Sequence, residues 1–358
     1  TAYQTKEHYA ISQDMFKSGR KSYIATEALP GFAIRIAKGK INVFTKKYYN
    51  GTVTVDEYFI QKGTEGAIVA CTAENMNEMV KDDDEAVRLV QETIDAGITF
   101  MDNAWEYHDG RSEELMGKAI ADRRQEVFLM SKVCTHGRDR HEAMRQLEDS
   151  LRRLKTDYLD LWQVHEVAYE NDPEWHFAPG GAVEALAQAQ QEGKVRFVGF
   201  TGHKSAEIHL KMLGYEYPFD ACQLPLNVLD GTFLSFEQKV LPELERQGIA
   251  AIGMKSMGGV GDMVKAEVVT AEEALRYVMS LPIASVISGI DSSKILQQNL
   301  RVARNFQPMT AEEMQVLRTR CAAAAGDGRY ELYKVSAKHE GPIGRAQHGF
   351  PPVEAMKD

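Results

Sequence analysis

The sequence predicts an eight-fold (β/α) barrel, and three observations carry that expectation. From about residue 65 onward, short β-branched runs alternate with longer helical patterns, the signature of parallel βα units. Eight such runs recur between Ala67 and Ser285 at about 31 residues per step, the size of one βαβ unit, and eight steps close into a ring. The rival, an open doubly wound sheet, would normally carry GxGxxG after its first strand. Here that turn reads Cys71-Thr72-Ala73-Glu74-Asn75.

The elements follow in order. Residues 67–70 form the first strand, and 84–96 a helix whose Ala86, Val87, Leu89, Val90 and Ile94 share one face. Residues 98–101 are the second strand. The helix after Ser112 places Glu113 and Glu114 in its first turn, where the helix dipole favours carboxylates. The third strand starts at 127–130 and its helix spans about 140–154; strands at 158–164, 196–200, 220–224, 249–254 and 285–288 complete the ring. Helices around 271–279 and 292–303 follow the last two strands, and a further helix covers about 310–325.

Residues 66–325 therefore make the barrel domain, with two segments outside its rhythm. In 1–65, the alternation of Ile34 and Ile36, Ile41 and Val43, then Val53 and Val55 around Asn50-Gly51 predicts antiparallel hairpins. This segment is expected to pack on the bottom of the barrel, a separate small binding module being the alternative. Asn50-Gly51-Thr52 also matches a glycosylation triplet, but Asn-Gly between β-prone runs is first a turn. Residues 326–358, with Gly326, Gly328, Gly341, Pro342, Gly349, Pro351 and Pro352, read as a loop over a barrel face or a frayed end.

Composition bounds the function. At 358 residues, 44% hydrophobic and 26% charged, the chain can bury a large core and is not a disordered polypeptide. A formal charge of −10 with no long basic run argues against a nucleic-acid partner. No stretch approaches the roughly 20 apolar residues of a bilayer span, and the start lacks a signal pattern. Cys71, Cys134, Cys222 and Cys321 form no CxxC pair, so a zinc ribbon or disulfide framework is not indicated and a reducing cytoplasm is expected.

In a parallel barrel, catalytic groups stand at the C-terminal ends of the strands. The second strand runs into Asp102-Asn103-Ala104-Trp105-Glu106-Tyr107, the third ends at Lys132 and the fourth at His165. Singly, such residues usually cap a helix, meet solvent or sit satisfied in a core. At successive strand ends, however, they must share one mouth. Tyr107 follows on a short loop that can fold back over that mouth.

These residues carry a resemblance. The run from Gly97 through Tyr107, then Gly110-Arg111-Ser112-Glu113-Glu114-Leu115-Met116-Gly117-Lys118-Ala119, is similar to the aldo-keto reductase family. So are Ser131-Lys132 with the four residues before them, Asp157-Tyr158-Leu159-Asp160-Leu161, and Gly193 through Thr201; the similarity covers roughly 80 to 305. It implies that Asp102, Tyr107, Lys132 and His165 are the tetrad of a nicotinamide-dependent reductase of aldehydes and ketones, or dehydrogenase of their alcohols, with NADP or NAD as cofactor. Hydride delivery to a carbonyl builds negative charge on oxygen, which needs a proton and fixed donors at once; in such a tetrad Tyr107 would supply the proton, the Lys132 ammonium would favour its phenolate, Asp102 would hold that ammonium, and His165 would orient the carbonyl.

The resemblance also implies an extended coenzyme across the barrel mouth. Thr201 and Gln223 match the groups that hold the carboxamide, Gly202 replaces the usual Asn, and Met254 replaces a stacking Tyr. Lys255, Ser256 and Gly258 follow the seventh strand; Gly289, Asp291, Ser293, Lys294, Gln298 and Asn299 resemble the segment that grips the adenosine end, with Ile295 where relatives place an arginine for the 2′-phosphate. Trp105, Trp175 and Phe177 suggest an aromatic-walled substrate pocket, the alternative being that they pack their own loops.

Three further patterns carry little. Tyr330-Glu331-Leu332-Tyr333-Lys334 matches a Tyr-x-x-x-Lys dehydrogenase pair but follows the last barrel helix. His136 and His141, and His203 and His209, lack the i, i+4 spacing of helical metal ligands, so no metal is implied. Cys321 alone near the C-terminal end does not suffice for an iron–sulfur cluster. The alternative function is a nicotinamide-binding regulatory or docking subunit with little turnover; the intact tetrad favours the enzyme. Sequence leaves the oligomeric state open.

Overall fold

The computed structural model describes residues 34–37, 40–43, 45–49, 54–58, 68–72, 82–134 and 138–356. β1 (Ile34–Ala37) pairs antiparallel with β2 (Lys40–Val43), and β3 (Thr45–Tyr49) with β4 (Thr54–Tyr58). The expected Asn50-Gly51 turn and the packing of this segment on the barrel lie outside the described residues.

The barrel strands are β5 (Ile68–Thr72), β6 (Phe100–Asp102), β7 (Phe128–Val133), β8 (Leu159–Val164), β9 (Val195–Thr201), β10 (Ala221–Pro225), β11 (Ala250–Met254) and β12 (Ser285–Gly289). Each pairs in parallel with the next, and β12 pairs with β5 to close the ring. The edges shift for local reasons. The second strand begins at Phe100 rather than 98 because Gly97 turns at φ +96° and the Ile98 amide still bonds Thr93 O, closing the preceding helix.

Helix starts follow side-chain caps. Asp82 accepts from the Asp84 and Glu85 amides ahead of Asp83–Asp95, and Asp139 from His141 and Glu142 ahead of Arg140–Leu154. Thr270 with Glu273, and Thr310 with Glu313, form capping boxes for Ala271–Ser280 and Ala311–Ala325. Close approach is permitted by Gly117, where a Cβ would sit 2.4 Å from Arg153 O on the neighbouring helix.

Two apolar layers result. One lies between strands and helices, with Trp162, Leu147, Leu186, Met212 and Val278 buried. The other fills the ring itself near the strand starts: Phe100, Met130, Leu161, Phe197, Ala221, Ala250, Ile252 and Ile287, with Phe128 stacked 4.8 Å from Phe100. Above this plug the ring becomes polar, holding Asp102, Lys132, Gln163 and Gln223, all buried. The C-terminal segment is more ordered than a loop, with short helices Leu332–Val335 and Pro342–Gln347. Among the described residues no helix is long and apolar enough to cross a membrane.

Candidate active site

Asp102 ends β6 and Lys132 lies near the end of β7, with side chains 3% and 1% exposed. The Lys132 ammonium donates to Asp102 Oδ1, to Asn103 O at 2.8 Å and to the Tyr107 hydroxyl at 3.3 Å, which uses all three of its protons. Gln223 Nε2 donates to the other Asp102 oxygen at 3.0 Å, and Gln163 Nε2 to Gln223 Oε1 at 3.4 Å. Asp102 is thereby oriented from β7 and β10 at once. A buried ion pair of this kind adds little net stability, but it fixes an ammonium beside a phenol.

His165 follows β8, its amide bonded to Val133 O at 2.9 Å. Its ring meets Tyr107 edge-on, centroids 5.7 Å apart at 74°. The four predicted residues, from three strand ends, therefore do converge. The chain leaves the strands in strained conformations around this point: His108, Asp109, Glu166 and Lys255 all have φ between 51° and 56°. Such outliers concentrate at functional sites.

Residues 72–269 match the profile described as the Aldo/keto reductase family, more than half of the 358-residue chain. The chain belongs to the aldo/keto reductase family. It is 25% identical over 279 residues to an uncharacterized oxidoreductase, YqkF, of Bacillus subtilis, covering 66% of this chain and 87% of that one. Over 124 residues it is 35% identical to the methylglyoxal reductase YeaE of Escherichia coli, covering 34% and 40% respectively. Its fold matches the aldo-keto reductase AKR11C1 of Bacillus halodurans in its holo form with a TM-score of 0.60 at 21% identity, over 80% of this chain and 99% of that one. A Klebsiella pneumoniae aldo/keto reductase in complex with NADP and acetate gives 0.57 at 23% identity, over 73% and 96%.

In this family member the residues that the sequence suggests for a coenzyme occupy the rim of the ring. Thr201 and Gln223 face each other across β9 and β10 in register. At Gly202 a Cβ would lie 2.5 Å from Val167 O and 2.8 Å from His209 Cε1, so the usual Asn does not fit this backbone. Met254 ends β11, and Lys255 after it sets its ammonium 5.2 Å from the centre of the Tyr333 ring. Ser256 is buried, and Gly258 turns at φ +75° with Tyr330 O where a Cβ would stand. Gly289 ends β12; Asp291 accepts from Ser292 Oγ, and Ser293 Oγ donates to Glu92 at 2.8 Å. Lys294 is exposed, Gln298 half-buried, and buried Asn299 donates to Ser288 Oγ at 3.0 Å.

The three aromatic residues suggested as a substrate wall find partners elsewhere. Trp105 lies against the guanidinium groups of Arg145 and Arg153, its ring nitrogen 3.4 Å from Asp149. Trp175 stacks on His348, centroids 4.7 Å apart, and Phe177 on Tyr215 at 4.0 Å.

The C-terminal segment, expected as a loop over a barrel face or a frayed end, is tied to the rim by contacts that the sequence did not reveal. The C-terminal segment crosses from the loops after β10 and β11 to those after β8 and β9. At its inner end Lys334, fully buried, pairs with Asp230 at 2.6 Å and Glu331 at 2.9 Å, and Asn227 donates to Glu331 at 2.9 Å. Farther along, Glu340 accepts from Tyr169, Lys204 and Arg345, and the Gly341 amide donates to Glu166 at 3.1 Å. The Tyr330 to Lys334 pattern is thus an anchor for this segment.

Burial of Glu166, beside the Glu106 charge and opposed by His165, pushes its carboxyl from 4.5 up to about 7. Between those values the folded protein binds more protons than the unfolded chain, so this group makes stability fall as pH rises from about 4.5 to 7. Glu166→Gln is expected to flatten the slope of unfolding free energy between pH 5 and 8. An unchanged slope in denaturant titrations would refute this assignment.

Proposed function

We propose that this family member reduces the carbonyl of a small aldehyde or ketone at the expense of a nicotinamide coenzyme, and oxidises the alcohol in reverse. The observation that carries the reading is the Tyr107 hydroxyl accepting from a buried ammonium that Asp102 holds in place. When bound, the reduced coenzyme supplies the hydride. As charge grows on the substrate oxygen, Tyr107 gives its proton, and the Lys132 ammonium stabilises the phenolate left behind. His165, edge-on to Tyr107, steadies the same oxygen. In oxidation Tyr107 takes the proton.

The residues present fit such a coenzyme. Gln163 Oε1 and Asn103 Nδ2 are buried beside the Asp102–Gln223 bond without partners, an acceptor and a donor of the kind a carboxamide needs. Thr201, Gln223, Met254 and Lys255 would hold the nicotinamide half, and the amides starting Ser293–Arg304 would meet phosphate. Lys294 sits exposed at that helix start, next to a Ser293 that Glu92 already engages, so NADP and NAD are both to be tried. The NADP-bound relative from Klebsiella and the methylglyoxal reductase of E. coli support the reading. The buried, reduced thiols of Cys134, Cys222 and Cys321 support a reducing cytoplasm as its setting. The complete tetrad speaks for turnover over a docking role.

The test is fluorescence titration with NADPH and NADH, followed by absorbance loss on a panel of aldehydes and ketones. Binding of neither coenzyme, or binding without turnover on any substrate, sinks the proposal.

A further inference from the structure

We infer that Glu106 is the positioning residue for His165, seating the imidazole from its Nδ1 side so that the opposite edge of the ring serves the substrate oxygen. This rests on the carbonyl-reductase reading. Glu106 precedes Tyr107 on the loop after β6, and its Oε1 lies 2.6 Å from His165 Nδ1, an ion-pair contact. That nitrogen is buried and makes no hydrogen bond of its own. The side chain is 13% exposed, so its accessibility lies on the remaining atoms. The second carboxylate oxygen of Glu106 receives the thiol of buried Cys134 at the end of β7, which holds the carboxylate from the other side.

The groups around the imidazole each have another role. Tyr107 presents its ring edge at 5.7 Å. Glu166 follows in the chain and bonds Gly341, and His203, from the loop after β9, faces Glu166 at 3.6 Å. Lys255 acts on both of these from the loop after β11. Glu106 is therefore the carboxylate at contact distance from the imidazole.

A carboxylate 2.6 Å from Nδ1 favours a proton on that nitrogen, whether the ring is neutral or cationic. As the neutral ring, its Nε2 offers only a lone pair. As the cation it donates from Nε2 to the oxygen that becomes negative while Tyr107 delivers its own proton. No atom passes to or from Glu106. Reduction then needs two protons in place, one on Tyr107 and one on His165 Nε2.

The test compares Glu106→Gln and Glu106→Asp in the wild-type and His165→Ala backgrounds, with coenzyme affinity by fluorescence as the check on folding. Glu106→Gln is expected to lower kcat about tenfold or more with little change in KM. Glu106→Asp recovers most of the rate. In the His165→Ala background the Gln substitution is expected to do nothing further. Equal losses in both backgrounds, or an unchanged kcat, overturn the inference. If the wild type shows no coenzyme-dependent turnover, the carbonyl-reductase reading is what fails. The contact is then read in the unliganded protein from the His165 ring-nitrogen resonances, which shift in Glu106→Gln if it exists and stay in place if it does not.

Discussion

Tyr107→Phe is expected to lower kcat for carbonyl reduction by about a hundredfold to ten-thousandfold, the usual worth of a placed general acid, with coenzyme affinity within about twofold of wild type. The substitution removes one oxygen and leaves the ring in position against Lys132 and His165. The Lys132 ammonium retains Asp102 and the Asn103 carbonyl, so the fold has little to lose. Lys132→Met should behave differently. It strands the Asp102 carboxylate, 3% exposed, without its counter-charge, and the rate loss should come with a lower melting temperature. Steady-state kinetics and coenzyme titration on the two variants separate these outcomes. A Tyr107→Phe enzyme within a few-fold of wild type would remove the phenol from the mechanism.

The largest effect on stability is expected at Lys334. Its ammonium is fully buried between Asp230 and Glu331, at 0% and 1% exposure, so Lys334→Met leaves two buried carboxylates without their counter-charge. Breaking a buried pair this way costs about 3–5 kcal/mol. Burial already raises the Asp230 carboxyl to about 6 against the pull of Lys334. The folded state therefore holds this proton more tightly than the unfolded chain between 3.8 and about 6, and stability contributed by this group declines across that window as pH rises. Without Lys334 the decline should extend to higher pH. Urea titration at pH 5 and pH 8 measures both effects. A loss below about 1 kcal/mol at pH 8 would show that the anchor is not electrostatically demanding, and adding Asp230→Asn should restore part of the loss.

The ring and the meeting of Asp102, Lys132 and His165 at one mouth were legible because both follow from local rules. Period-two and helical runs repeat every βα step, and the strand ends they define place Asp102, Lys132 and His165 on one rim whatever the helices do. Several residues of the same motif turn out to serve packing: Ser131 donates to buried Glu113 at 2.6 Å, and Gly117 lets two helices meet. The contacts of the aromatic residues were not legible because their partners are distant in sequence. Trp175 finds His348, and Tyr169 finds Glu340, 171 residues on. The C-terminal segment was read as loose because it is rich in Gly and Pro. What holds it is ion pairing across about a hundred residues, as between Lys334 and Asp230, and no periodicity reveals that.

The phenylalanine-rich plug inside the ring bears on traffic. Phe100, Phe128 and Phe197 stack across its lower end, so the ring is blocked on that side. Under the proposed function, coenzyme and carbonyl compound would have to share the opposite doorway, and whichever lay deeper would arrive earlier and depart later. Side chains that never touch a reactant would then set the order of arrivals.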